Sequence, residues 1–396
     1  MHYKMPVFLN DLGIVCALGR GKTEVATRLL AGDTSGMILT DSYSPGRMLT
    51  LGVVPSELPP IQIKNPAHHS RNNRLLLCAL EEIRPTVAAL SDRVPPRRFG
   101  VVIGTSTSGI AEAEQAVTRL HERGGMPPSF HYGQQEMGNP AQFLADTLGI
   151  QGPVYVVSTA CSSGVKALAS AARLLRLGVC DVVLAGGADS LCRFTIAGFS
   201  ALEAVSSERC NPFSANRRGI NIGEGAALFI VSREPGEVAL LGVGESSDGY
   251  HISAPDPSGK GVVLAMQSAL CQAGIRAEDI DYLNLHGTAT PQNDAMEGQA
   301  VHALFGSDLP CSSTKPLTGH TLGAAGAIEA GLCWLALSVA NPQRVLPPHR
   351  WDAVPDPTLP PLHLVGPSER AAQLRHIMSS SFAFGGSNAV VVLGRE

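Results

Sequence analysis

The stretch Val154-Tyr-Val-Val-Ser-Thr-Ala-Cys161-Ser-Ser-Gly164, with the helix-forming run that follows it to Gly178, restricts the possible folds more than any other part of the chain. Residues 154–157 are apolar and largely β-branched, which predicts a short strand buried on both faces. Small residues at 158–164 interrupt it, and a helix is expected from Val165 until Gly178 stops it. The only charges on that helix, Lys166, Arg173 and Arg176, share one narrow stripe, so most of its circumference should be enclosed. A further apolar run at 181–187 completes a strand–helix–strand spacing, which predicts a right-handed parallel unit. Cys161 falls at the turn into the helix, where free N–H groups and the helix dipole favour a thiolate and lower its pKa. Small neighbours would let an acyl group reach the sulfur, and the helix amides would form half of an oxyanion hole. The position suits a small apolar side chain packed between helix and sheet equally well. The cysteine alone does not choose between the two.

At 396 residues the chain can hold about two or three domain-sized cores. Hydrophobic residues at 44% against 16% charged make it globular rather than disordered. The net charge of −4 and the lack of a long basic run exclude nucleic acid as an expected partner. No apolar stretch reaches the ~18 residues of a membrane span, and the N-terminus lacks a signal-peptide core. No membrane association and a cytoplasmic location are therefore expected. Nine cysteines, an odd number without a C-x-x-C pair, then read as reduced thiols, and no metal site is expected.

Along the chain, strands are predicted near residues 7–19 and 100–104 and helices at 22–31 and 75–90. Asn139-Pro140 should cap the helix 141–148. A seam at 231–235 divides the chain into halves 1–235 and 236–396. The second half repeats the α/β plan: strands at 239–244, 282–285, 376–381 and 388–393, with helices at 261–273, 294–305 and 321–340. About five buried strands in each half imply an internal duplication, although no residue-level repeat aligns. In parallel α/β sheets, reactive groups gather beyond the carboxyl ends of strands. Four stretches meet that description: 158–164, 286–290, 315–320 and 382–387. They bring one thiol, two imidazoles, one ammonium and a glycine loop. A single histidine is usually structural, but two in Gly/Thr-rich turns at strand ends are harder to dismiss.

These motifs carry a resemblance. Ser158-Thr-Ala-Cys161-Ser-Ser-Gly, His286-Gly-Thr-Ala-Thr290 with Asn293-Asp, Lys315-Pro-Leu-Thr-Gly-His320-Thr-Leu-Gly-Ala-Ala-Gly and Ser381-Phe-Ala-Phe384-Gly-Gly-Ser-Asn388 resemble the signature set of the β-ketoacyl-acyl carrier protein synthases. These are the elongating condensing enzymes of fatty-acid synthesis and the related ketosynthases of polyketide and polyene assembly. The resemblance runs in order through nearly the whole chain. It implies an α/β thiolase fold, a duplicated five-layered αβαβα sandwich. The implied reaction is a decarboxylative condensation of malonyl carrier with an acyl chain held on Cys161. His286 and His320 would polarise the malonyl thioester carbonyl. Lys315, paired with Glu297, would order the histidines, and the N–H groups of Cys161 and Phe384 would form the oxyanion hole. Thr288, Thr290, Phe382 and Phe384 would contact substrate and the phosphopantetheine arm, and Thr107 would border the acyl tunnel. Substrates would arrive on the phosphopantetheine of an acyl carrier protein, with no other cofactor. The chain would pair with a second copy or with a ketosynthase-like paralogue. Arg71, Arg74, Arg217 and Arg218 are candidates for a basic rim facing the acidic carrier.

Two departures bear on substrate choice. Ser214 stands where many relatives carry an aspartate after Pro-Phe, and the pocket loop reads Thr105-Ser-Thr-Ser, with Thr107 in place of a bulky aliphatic residue. Neighbouring families fit less well. A thiolase needs a second cysteine near the C-terminus, whereas the last here is Cys333. Starter-unit enzymes use asparagine where His320 stands. A non-catalytic chain-length partner would have lost the cysteine, and an unrelated cysteine hydrolase would release no CO2 from malonyl carrier.

Overall fold

The computed structural model describes residues 5–55 and 57–395. The first strands are β1 (Phe8–Cys16), β2 (Gly19–Arg20), β3 (Met37–Thr40), β4 (Leu49–Gly52), β5 (Phe99–Gly104), β6 (Val154–Val157), β7 (Val182–Asp189) and β8 (Gly225–Ser232). Six more follow: β9 (Val238–Ser247), β10 (Tyr282–Asn284), β11 (Pro310–Ser312), β12 (His363–Leu364), β13 (His376–Ala383) and β14 (Ser387–Arg395). The early helices are α1 (Lys22–Ala31), α2 (Arg71–Ser91), α3 (Ile110–Arg123), α4 (Asn139–Leu148), α5 (Ser163–Arg176) and α6 (Arg193–Ala201). The later ones are α7 (Lys260–Ala273), α8 (Pro291–Phe305), α9 (Lys315–Thr318) and α10 (Ala325–Leu337).

The strand order shows the duplication that residue alignment does not. One arm of the large sheet runs β1-β8-β7-β5-β6 and the other β9-β14-β13-β10-β11. Within each arm the first two pairings are antiparallel and the last two parallel. The arms meet at a single residue pair, Phe8 with Ala239. Helices α5 and α10 contact each other and strands of both arms, forming the middle layer. Helices α2 and α4 cover the outer face of the first arm, and α7 covers that of the second with α8 packed against it. The result is the five-layered αβαβα sandwich of a thiolase fold. All thirteen residues of α10 are buried, which is why it is apolar all round rather than on one stripe. The two middle helices approach backbone to backbone: a Cβ on Gly164 would lie 2.5 Å from Ala327 N. No described helix is long and apolar enough to cross a membrane.

Three local expectations are corrected. Strand β6 is the edge of its arm and only partly buried, with Tyr155 exposed; a β-branched run therefore marks a strand here without marking its depth. The cap of α4 is Gly138 rather than Asn139, whose amide is spent between the Ala67 carbonyl and Asn73. The long predicted helix at 321–340 opens as a 3-10 turn, Leu322–Ala324, because Leu322 takes a left-handed φ of +51°.

Candidate active site

Cys161 sits at the turn between β6 and α5, 5% exposed. The residue before it, Ala160, takes a φ of +51°, a strained conformation for a residue with a Cβ. Neighbouring serines hold the turn. Ser163 Oγ accepts from Thr159 N–H at 2.8 Å and donates to the Ala160 carbonyl at 2.6 Å. The hairpin between β13 and β14 closes over it, with Gly385 and Gly386 both at positive φ (+83° and +76°). That turn leaves the Phe384 N–H aimed at the Cys161 sulfur beside the cysteine's own N–H. Two backbone N–H groups from elements far apart in sequence thus face the sulfur.

His320 Nε2 lies 2.9 Å from Cys161 Sγ. Its backbone is held by the segment before β8: His320 N–H donates to the Asn221 carbonyl at 2.6 Å, and Gly223 N–H to the His320 carbonyl at 3.0 Å. The His286 ring stands edge-on to His320, with centroids 5.4 Å apart. The sulfur and one nitrogen from each histidine lie within 4.8 Å of one another. Burial pushes the Cys161 thiol up to about 12, opposed by the charge of Lys315 and the Phe384 N–H. The direction is opposite to the expected lowering: burial disfavours the thiolate more than the Lys315 charge and the nearby N–H groups favour it. Burial holds both histidines well below their usual range, with Lys315 adding to the effect, so both rings are neutral.

The expected Lys315–Glu297 pair does not form. Lys315 Nζ instead bonds Glu329 Oε1 and the His286 carbonyl, each at 2.5 Å, and lies 3.4 Å from His286 Nδ1. An ammonium only donates, so Nδ1 accepts and the His286 proton resides on Nε2. Glu297 accepts the N–H groups of His286 and Gly287 at 2.6 and 2.7 Å. It fixes the backbone of the histidine loop; burial raises its pKa to about 8. Glu329 was missed in the sequence, although a signal was present: it is the one charge in the apolar run of α10, and a charge enclosed by apolar neighbours needs a counterion.

A cavity of about 320 Å³ descends to Cys161, His286 and His320. Thr288, Thr290, Phe382 and Phe384 line it, as expected, and the two threonine hydroxyls are 3.0 Å apart. Thr107 does not. It is 2% exposed, and its N–H and Oγ1 both bond Asp189 Oδ1, at 2.8 and 2.7 Å. The buried Asp189 carboxylate also collects Thr105 Oγ1 and the N–H groups of Ser106 and Ala324, which draws the threonine away from the cavity. Thr107→Phe should therefore destabilise the protein by about 1–3 kcal/mol through overpacking without shortening the longest acyl chain that Cys161 loads. Melting curves and mass spectra of the acylated protein check this, and a shortened profile at unchanged stability would contradict it.

The basic rim is also reduced. Arg71 is committed to the buried carboxylate of Glu224, Arg74 to the carbonyls of Leu58 and Pro59, and Arg217 to Asp356. Arg218 alone of the four stays exposed, and it lines the cavity beside exposed Leu202.

An acyl group on the sulfur and an enolate forming opposite it would each find hydrogen-bond donors here, the arrangement of a carbon–carbon condensing site on a thiolase fold. Comparison with known proteins leads to the same class. Residues 56–235 match the family described as Beta-ketoacyl synthase, N-terminal domain, and residues 238–350 match its C-terminal domain. The chain belongs to the β-ketoacyl synthase family. It is 32% identical to Nodulation protein E of Rhizobium meliloti (strain 1021), over 97% of this chain and 98% of that protein. It is 34% identical to 3-oxoacyl-[acyl-carrier-protein] synthase 2 of Staphylococcus aureus (strain N315), over 80% of each. Among solved structures, a chain from the ketosynthase ApeO in complex with its chain length factor ApeC from Xenorhabdus doucetiae is 43% identical. That likeness has a TM-score of 0.93 and covers 100% of this chain and 99% of the other.

Proposed function

We propose that the chain is a catalytic ketosynthase, a 3-oxoacyl-[acyl-carrier-protein] synthase of fatty-acid or polyketide and polyene assembly. The convergence of Cys161, His286 and His320 at the floor of one cavity carries this reading. A non-catalytic chain-length subunit would have no use for that convergence.

In the first half-reaction, Cys161 attacks the acyl thioester of the carrier. Its proton passes to His320 Nε2, at 2.9 Å, and from there to the departing pantetheine sulfur, so both side chains return neutral. In the second, the malonyl group loses CO2. The electron pair left behind forms an enolate whose oxygen is bonded by the Nε2–H of His286, and by His320 once its ring proton has moved from Nδ1 to Nε2. The enolate carbon attacks the acyl-Cys161 carbonyl, and the oxyanion forms between the N–H groups of Cys161 and Phe384. Collapse of that intermediate releases the 3-oxoacyl carrier and the Cys161 thiolate, which takes up one proton. The reaction as written needs no metal and no resident cofactor, because the carrier's phosphopantetheine brings both substrates.

The partners of this reading are an acyl carrier protein, met by Arg218 and the exposed apolar residues at the cavity mouth, and a ketosynthase-like second subunit. The ApeO–ApeC complex supports such pairing. The cytoplasm, where nine free cysteines stay reduced, is the compartment it assigns.

Two histidine variants test the proposal. His286→Ala should still load an acyl group on Cys161 but decarboxylate malonyl carrier on the order of 10²-fold more slowly, the cost of one lost oxyanion donor. His320→Ala should impair both steps, because it also removes the acceptor for the thiol proton. Acyl mass shifts and release of labelled CO2 measure the two steps. Parent-like decarboxylation in both variants would refute the assignment.

A further inference from the structure

The loop 286–290 needs outside support to keep its shape. Gly287 and Ala289 have φ of +41° and +64°, and a left-handed alanine persists only where its surroundings hold it. On one side Glu297 holds the His286 and Gly287 N–H groups. On the other, Ser313 Oγ donates to the Gly287 carbonyl at 2.7 Å. Ser313 N–H in turn donates to Nδ1 of His349 at 3.1 Å, and His349 Nε2–H donates to the Pro212 carbonyl at 3.0 Å. The next residue, Phe213, gives its N–H to Asp294 at 2.8 Å, and Asp294 also accepts Ala289 N–H at 3.2 Å. The bonds close a circuit: loop, Ser313, His349, Pro212-Phe213, Asp294, and the loop again. His349 is 4% exposed and lies against Phe213 and Trp351, outside the cavity lining. One nitrogen accepts and the other donates, the pattern of a neutral imidazole. Burial agrees with it, pushing the pKa down to about 4.

We propose that His349 is a positioning residue for malonyl decarboxylation: through Ser313 it holds the Gly287 carbonyl, and so sets His286 at the point where the enolate oxygen forms. The proposal rests on the ketosynthase reading and makes that reading more specific. His349 touches no reacting atom. Its hydrogen bonds end on the loop of His286 and do not reach the Cys161 turn. The segment that holds His320 is joined only indirectly, through Gly219 N–H to the Ala289 carbonyl and Cys210 N–H to Asn221 Oδ1, so decarboxylation should respond more strongly than loading.

Three full-length variants decide it. His349→Asn keeps an acceptor near the Nδ1 position for Ser313, His349→Gln keeps only a donor near the Nε2 position for Pro212, and His349→Leu keeps neither. Leu and Gln should slow decarboxylation of malonyl carrier by on the order of tenfold, since small misplacements of a reacting group are costly. Acyl loading of Cys161 should stay within about twofold, and Asn should recover most of the loss. Hydrogen exchange followed by mass spectrometry should rise at 286–290 in the Leu and Gln variants, return in Asn, and stay constant at 158–164. Equal loss in both half-reactions, undiminished decarboxylation in the Leu and Gln variants, or a rise in exchange across the whole chain would overturn the proposal. If the Leu variant does not fold, the Asn and Gln pair still decides. A parent protein that neither loads nor decarboxylates would refute the ketosynthase reading itself, while the exchange pattern would still show whether His349 holds the loop.

Discussion

Cys161→Ala is expected to fold and to lose acyl-enzyme formation and condensation completely. The substitution removes one sulfur from a buried turn whose shape depends on Ser162, Ser163 and Ala160 rather than on the thiol. Among the described residues no other cysteine lines the cavity, so no second thiol is available there. Cys16, Cys180 and Cys311 are buried elsewhere, and their alanine variants should retain turnover. Because burial raises the Cys161 thiol to about 12, almost none of it is ionised at neutral pH, and reactivity depends on the proton acceptor at 2.9 Å. Intact-mass spectra after incubation with acyl carrier provide the measurement. An acyl adduct formed in full on Cys161→Ala would remove this cysteine from the mechanism.

The second large effect should come from the buried ion pair. Lys315 and Glu329 have side chains 1% and 3% exposed. Removing one partner leaves the other charge without compensation, at a cost of about 3–5 kcal/mol. Lys315→Met should therefore lower the midpoint of denaturant unfolding markedly and also abolish the donor that fixes the His286 tautomer. Replacing both partners with apolar residues of similar volume is often nearly neutral for stability. The double variant Lys315→Met with Glu329→Leu should then regain most of the lost stability, yet decarboxylate malonyl carrier as poorly as Lys315→Met alone. Recovery of both properties together would mean that the pair serves stability only.

The four reactive turns were legible because their chemistry is local: a cysteine where small residues break a strand, histidines in Gly/Thr turns, a double glycine in a hairpin. The duplicated plan was legible as well, since buried strands and Gly-terminated helices leave patterns of apolar residues that do not depend on contacts. What the linear chain withheld were relations between distant residues. Glu329 rather than Glu297 receives Lys315 because α10 passes beneath the site while α8 meets the backbone of the histidine loop. Thr107 turns toward Asp189, 82 positions away, and three arginines find partners in other elements. The burial that disfavours a Cys161 thiolate likewise appears only in the packed site. Residue type and spacing determined which groups could react. Tertiary structure decided which partners they meet and which charges they keep, because desolvation and hydrogen bonding at 2.5–3.5 Å depend on neighbours that the chain order does not bring together.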